Sequence, residues 1–212
     1  MARISKRVFI RNARLSFPSL DEPRESMSGD GSMKYQATFI LDPSNPSVKT
    51  IGDALTAIAQ EFFKDKDKAA RILGDKRAMP LKKGDDREKI PDGYAGNLYI
   101  AAKSAYKPEL RDANPRILIT DAQKIREKFV PGYRVNAFVD LYPYDKAGNK
   151  GIAAGLVSVQ FAGYDEPFGG SAAPSASDFP DCSEASKLSD EAAQKYAASA
   201  PTAWGPEEDV PF

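Results

Sequence analysis

Three stretches of the chain set rings and cations at every second residue. In YRVNAFVDLYPY (133–144), Arg134, Asn136, Phe138, Asp140, Tyr142 and Tyr144 alternate with Val135, Ala137, Val139 and Leu141. In NLYIAAKSAY (97–106), Tyr99 and Lys103 alternate with Leu98, Ile100 and Ala102, and KRVFIRN near the start offers Arg7, Phe9 and Arg11 at the same spacing. Successive side chains of a strand point to opposite faces. Each stretch therefore carries an apolar face for a core and an outer face of rings and charges. Such an outer face suits a single strand of nucleic acid, because rings stack on bases of any sequence while cations follow the phosphates. Aromatic residues on strands also pack commonly against a helix or a second sheet. Their interleaving with Arg, Lys and Asn on the same face of more than one strand favours binding. Tyr99, Lys103, Arg134, Phe138 and Tyr142 are the leading candidates for base and phosphate contacts, with Arg7, Phe9 and Arg11 beside them.

Further cations lie in the charged stretch 75–96, where Lys76, Arg77, Lys82, Lys83, Arg87 and Lys89 could close over a strand. Lys82 and Lys83 are taken as contacts. Asp75, Asp85, Asp86 and Glu88 offset much of that charge, so a merely solvated loop is the competing reading. Arg111, in the turn-rich PELRDANPR, is a further candidate for a phosphate. The GDDREK run also admits a magnesium-dependent nuclease built on Asp85, Asp86 and Glu88, although its spacing is not specific to metal sites. Other chemistry is excluded by composition. The chain has no histidine and one cysteine, Cys182. Triads that need histidine, thiolate zinc sites and an intrachain disulfide are ruled out. No cofactor, no metal and no catalytic residue is expected.

The elements that would position these residues read mostly as strands. KRVFIRNARLSF (6–17) is strand-like, with a bulge near Asn12 where the alternation slips. MKYQATFIL (33–41) alternates cleanly, and the Pro-, Gly- and Ser-containing stretch between them reads as a loop. One principal helix follows: Asn45 can cap it, Pro46 suits its first turn, and Val48, Ile51, Leu55, Ile58, Ala59 and Phe62 recur on one face. A short helical piece at 67–73 would stop at Gly74. Strands are expected again at 97–106, 116–120, 133–144 and 152–164, the last two joined by a hairpin through AGN. Mainly β, with five or six strands and one principal helix, the body reads as a small Greek-key barrel rather than a doubly wound sheet.

The charge is unevenly spread. Residues 166–212 hold nine acids and two bases, a net −7; residues 1–165 hold 28 bases and 21 acids, a net +7. A basic body with an acidic appendage suggests a polyanionic partner, for which the appendage can compete. Rich in Ala, Ser, Pro and Gly, 166–212 reads as a disordered tail, with a marginal helix at 189–198. It finishes on Glu207, Glu208, Asp209, Val210, Pro211 and Phe212. A Phe ring can fill an apolar pocket while the acids meet a basic rim, and Pro211 lowers the cost of ordering. No apolar run spans a membrane and no signal peptide is visible, so a cytoplasmic protein is expected.

EEDVPF resembles the acidic tip of bacterial single-stranded DNA-binding proteins, which docks on partners in replication, recombination and repair. It departs from the usual tip in its two Glu and its Val. RVFIRNARLSFPSLDEP, KYQATFIL and PGYRVNAFVDLYPY together resemble a phage-encoded family of single-stranded DNA-binding proteins. The resemblance covers roughly 6–165 and implies an OB-fold with sequence-tolerant binding of single strands. The expected organisation is an OB-fold-like domain, 1–165, and an acidic tail, 166–212, with a partner-docking tip at 207–212. Such a protein would protect single-stranded DNA in the host cytoplasm during replication, recombination or repair. An RNA-binding or strand-annealing module on the same fold is the alternative. An exposed edge strand could also pair two copies.

Overall fold

The computed structural model describes residues 4–25, 31–146 and 149–169. Beyond its first four residues the expected tail lies outside this range, with the helix at 189–198 and the tip at 207–212; so does most of the AGN hairpin tip.

Among the described residues seven strands form one sheet: β1 (Lys6–Glu25), β2 (Met33–Leu41), β3 (Leu81–Lys83), β4 (Leu98–Ser104), β5 (Glu109–Arg111), β6 (Arg134–Lys146) and β7 (Asn149–Gly163). Five of them close on themselves. β1 pairs antiparallel with β2 and β6, β2 with β4, and β6 with β7. A parallel contact, Lys103 opposite Gly155, joins β4 to β7 and shuts the barrel. On either side of that seam, β3 extends β4 and β5 extends β7. The Ile152 N–H donates to Ala78 O at 2.8 Å and bridges part of the remaining gap.

The alternation read from the sequence explains the closure. Val8 and Ile10 of β1, Ala37, Phe39 and Leu41 of β2, Ile100 and Ala102 of β4, and Val135, Ala137, Val139 and Leu141 of β6 all belong to the buried core. The helix α1 (Pro46–Phe63) adds Ile51, Leu55, Ile58 and Ala59 to it. Its cap is tied to the β1 bulge. Asn45 accepts from Ser47 N–H at 2.9 Å and donates to Arg11 O at 3.0 Å, while Arg11 N–H donates to Ser47 Oγ. Next to this knot Asn12 takes φ 49°, and the β1–β6 register slips between Ile10 and Ala13. The bulge thus fixes where the helix starts.

Helix α2 (Lys66–Gly74) covers the expected 67–73 piece, capped by Asp65. Other segments differ from expectation. β1 runs on through 18–25, pairing with β2 through two register shifts instead of forming a loop. The expected strand 116–120 does not form. β5, in the stretch read as a turn, has taken the β7 edge at Ser158–Gln160, and RILIT meets only the other side of β5, where Asp112 N–H donates to Ile117 O and Ile119 N–H to Leu110 O. Ile117 and Leu118 are left about half exposed, with a single bridge from Leu118 to Arg111. A third helix, α3 (Ala122–Lys128), was not anticipated; Asp121 caps it, and Ile125 and Phe129 reach the core.

After β7 the chain stays on the barrel for several residues. Asp165 pairs with Arg134 at 2.5 Å and with Arg14 at 3.7 Å. The Phe168 N–H donates to Pro131 O at 2.9 Å, and the Arg14 guanidinium lies 4.1 Å from the Phe168 ring centre. Gly132, at φ 102°, is required here, because a Cβ would sit 2.3 Å from Glu166 O. Backbone H-bonding to Glu166, then Arg134, holds the Asp165 carboxyl below its usual range. The expected boundary at 165/166 is therefore followed by residues through Gly169 that pack against the body.

Candidate nucleic-acid interface

A groove of about 690 Å³ crosses the outside of the barrel over β2, β3, β4, β6 and β7. The described residues lining it include four cations (Lys34, Lys82, Arg87, Lys103), four rings (Phe17, Tyr99, Tyr142, Tyr144) and no carboxylate. Strand register assembles these groups. Tyr99 lies beside Lys82 across β3–β4, and Lys103 beside Gln36 across β2–β4. Ala101 and Ala153 are small outward residues on the groove floor. Tyr142 and Tyr144 come from β6, opposite Ala153 and Gly151 of β7. Small residues there leave the rings room. A Cβ on Gly151 would lie 2.7 Å from Tyr144 Oη, and one on Gly155 3.4 Å from the Tyr142 ring.

The stretch 75–96 builds one rim and is ordered by specific contacts. Gly84 N–H donates to Asn97 O at 2.8 Å, and Gly96 N–H to the Asp85 carboxylate at 2.9 Å. Lys76 pairs with Asp86 at 2.9 Å. These contacts hold Arg87 with its guanidinium 5.0 Å from the Tyr94 ring centre and 5.4 Å from that of Tyr99. Tyr94 is fully buried and meets Tyr99 edge-on at 5.1 Å. Burial raises its phenol pKa, so it is a neutral backing ring at ordinary pH. Asp85 and Asp86 thus hold the loop together. Among the described residues no group of three or more His, Cys, Asp or Glu is placed to hold a metal ion.

Of the residues expected to bind, Lys82, Tyr99, Lys103 and Tyr142 meet in this groove. Arg7, Phe9, Arg111 and Phe138 line a separate depression of about 560 Å³ over β1, β5, β6 and β7, and the Arg11 guanidinium lies 5.2 Å from the Phe9 ring centre. Lys83 is exposed, at the end of β3, and lines neither. Arg134 also lines neither and holds Asp165 instead. The structure adds Phe17, Lys34, Arg87 and Tyr144 to the groove. Arg87 and Tyr144 share elements with expected residues. Phe17 carried no periodic signal, because it stands on a second β1 bulge with φ 44° and 52% exposure. A bulky residue in that conformation is strained, and such strain clusters at functional sites.

A closed five-stranded barrel in the order β1-β2-β4-β7-β6, shut by one parallel contact, is an OB-fold, the architecture whose strand face and loops carry oligonucleotides in many proteins. The sequence model of the family described as Enterobacter phage Enc34, ssDNA-binding protein, matches residues 6–192, and the chain belongs to this family. It is 35% identical over 183 residues to protein p50 of Acyrthosiphon pisum secondary endosymbiont phage 1, covering 84% of this chain and 95% of that protein. Among solved structures, it resembles the single-stranded DNA-binding protein from bacteriophage Enc34 in complex with ssDNA. The TM-score is 0.66 at 22% identity, over 77% of this chain and 89% of that one. It also resembles gp2.5, a single-stranded DNA-binding protein encoded by bacteriophage T7, with TM-score 0.53 at 11% identity, over 84% and 93%. At these identities the structural likeness concerns the fold. The family is one of DNA-binding proteins, not of enzymes. No helix among the described residues is long and apolar enough to cross a membrane.

Proposed function

We propose that this protein holds single-stranded DNA, with little regard to sequence, in the groove of β2, β3, β4, β6 and β7. The observation that carries this is a concave surface with four rings, four cations and no lining carboxylate. Bases stack on Tyr99 and Tyr142, flanked by Phe17 and Tyr144, while Lys34, Lys82, Arg87 and Lys103 meet phosphates. Neutralised phosphates release counterions, so affinity falls with salt at a log–log slope of about −0.7 per contact on single strands. The test is fluorescence anisotropy of labelled oligo(dT) across a salt series. Lys103→Gln is expected to reduce the slope by about 0.7. Salt-independent binding, or a slope unchanged by Lys103→Gln, would remove Lys103 from the phosphate path.

Beyond Gly169 the tail works as a competitor and a hook. Its acids lie over the basic body when DNA is absent; when DNA displaces them, Glu207–Phe212 dock on a replication, recombination or repair protein in the host cytoplasm. Removing residues 170–212 is therefore expected to tighten oligo(dT) binding, most at low ionic strength, where charge competition is least screened. Equal affinities of the full chain and the 1–169 fragment at low salt would rule the competition out.

A further inference from the structure

We propose that the DNA strand does not end at the groove but continues round the barrel to a second stacking platform, the Phe9–Phe138 pair on the β1–β6 face. This rests on the groove being the DNA site. Three depressions join into one track. The groove shares Lys34, Lys103 and Tyr142 with a depression of about 580 Å³ over β4, β6 and β7. That depression shares Val157 with the third, and its Asp140 is the ion-pair partner of Arg7 there. Along the whole track, six lining cations face two carboxylates among the described residues. Both carboxylates are held by arginines of the track itself: Asp140 by Arg7 at 2.8 and 2.9 Å, Glu109 by Arg111 at 2.7 Å. A polyanion can follow this path without meeting an unpaired lining acid.

The far end has the form of a stacking site. Phe9 and Phe138 stand directly opposite on β1 and β6, with ring centres 4.6 Å apart and planes 32° apart. Phe138 is 41% exposed. The Arg11 guanidinium lies 5.2 Å from the Phe9 ring centre and makes no ion pair among the described residues. An outward aromatic pair is ordinary where a helix covers it, but α1, α2 and α3 contribute none of the lining of this depression. Rings open to solvent, arginines beside them and, above all, continuity with the groove through shared lining residues fit an added segment of the same single strand.

The measurement uses the full chain and oligo(dT) of about 6 and about 16 nucleotides, near the short and long ends of the range for one OB-fold. Phe138→Ala is expected to weaken the 16-mer about 5- to 150-fold, the value of one stacked base, and to change the 6-mer less than about twofold. Arg11→Glu, at an exposed position where folding is not at stake, should repeat this pattern and lower the salt slope for the 16-mer alone. Tyr142→Ala should weaken both lengths. If Phe138→Ala and Arg11→Glu bind the 16-mer like the wild type while Tyr142→Ala loses both, the platform is wrong and the groove stands. Equal losses at both lengths for the platform variants also overturn it. If Tyr142→Ala changes neither length, the groove itself fails.

Discussion

Replacing Tyr99 and Tyr142 together by alanine is expected to weaken oligo(dT) binding by about two to four orders of magnitude, the largest binding effect available from two side chains. Each stacked base is worth about 1–3 kcal/mol by alanine substitution, and each 1.4 kcal/mol is tenfold in affinity. The two rings reach the groove from different strands, Tyr99 from β4 and Tyr142 from β6. Losing one should therefore leave the other in place. Neither is a core residue: both side chains point outward and are only partly buried. Tyr99 also contacts the Tyr94 ring and the Arg87 guanidinium, so the single variants need a melting curve alongside the titration. Tyr99→Phe and Tyr142→Phe keep the ring and should retain most of the affinity, because stacking does not need the hydroxyl. A double alanine variant that melts like the wild type and loses less than about fivefold would mean the bases lie elsewhere.

The groove was legible in part because strand alternation is a local property. Val135 to Leu141 set the inner face of β6, so the outward position of Phe138, Tyr142 and Tyr144 followed from period two alone. Nothing in that argument says which outward residues share a surface. Phe138 and Tyr142 stand four residues apart on one strand, yet they line different depressions. A closed barrel curves the strand around its circumference, and the β6–β7 register slips between Phe138 and Val139. Alternation places Arg134 on the outer face of β6, and only the assembled barrel brings Asp165, far along the chain, against it. Propensity marks RILIT as a strand but cannot reveal that β5 holds the β7 edge, which leaves RILIT a single bridge to β5. Phe17 escaped notice because a bulge breaks the pattern that sequence reasoning relies on. Strain and long-range pairing are set by the assembled barrel, and they decide which of the outward residues become a site.

Gly84→Ala is expected to be among the most damaging single methyl additions to the body. A Cβ there would lie 1.9 Å from Tyr94 O and 2.6 Å from Tyr94 C, both backbone atoms with no rotamer to change. Relief requires the 84–97 loop to lift from β3 and β4. That movement breaks the Gly84 N–H bond to Asn97 O, unseats the buried Tyr94 ring and carries Arg87 away from Tyr99. Overpacking of this kind costs about 1–3 kcal/mol, occasionally more, and a backbone clash belongs at the upper end. Gly52→Ala separates the clash from a general effect of alanine. Gly52 lies within α1 with nothing within 4 Å of its added Cβ, so alanine there should stabilise the protein by about 0.5–1 kcal/mol. Urea denaturation of both variants gives opposite shifts in midpoint if the loop is anchored as described. At temperatures where Gly84→Ala is still folded, its affinity for oligo(dT) should also fall, because Arg87 and Lys82 no longer hold the rim. A wild-type midpoint for Gly84→Ala would mean that the loop is not clamped at this point, and the rim could not then be counted as a rigid wall of the groove.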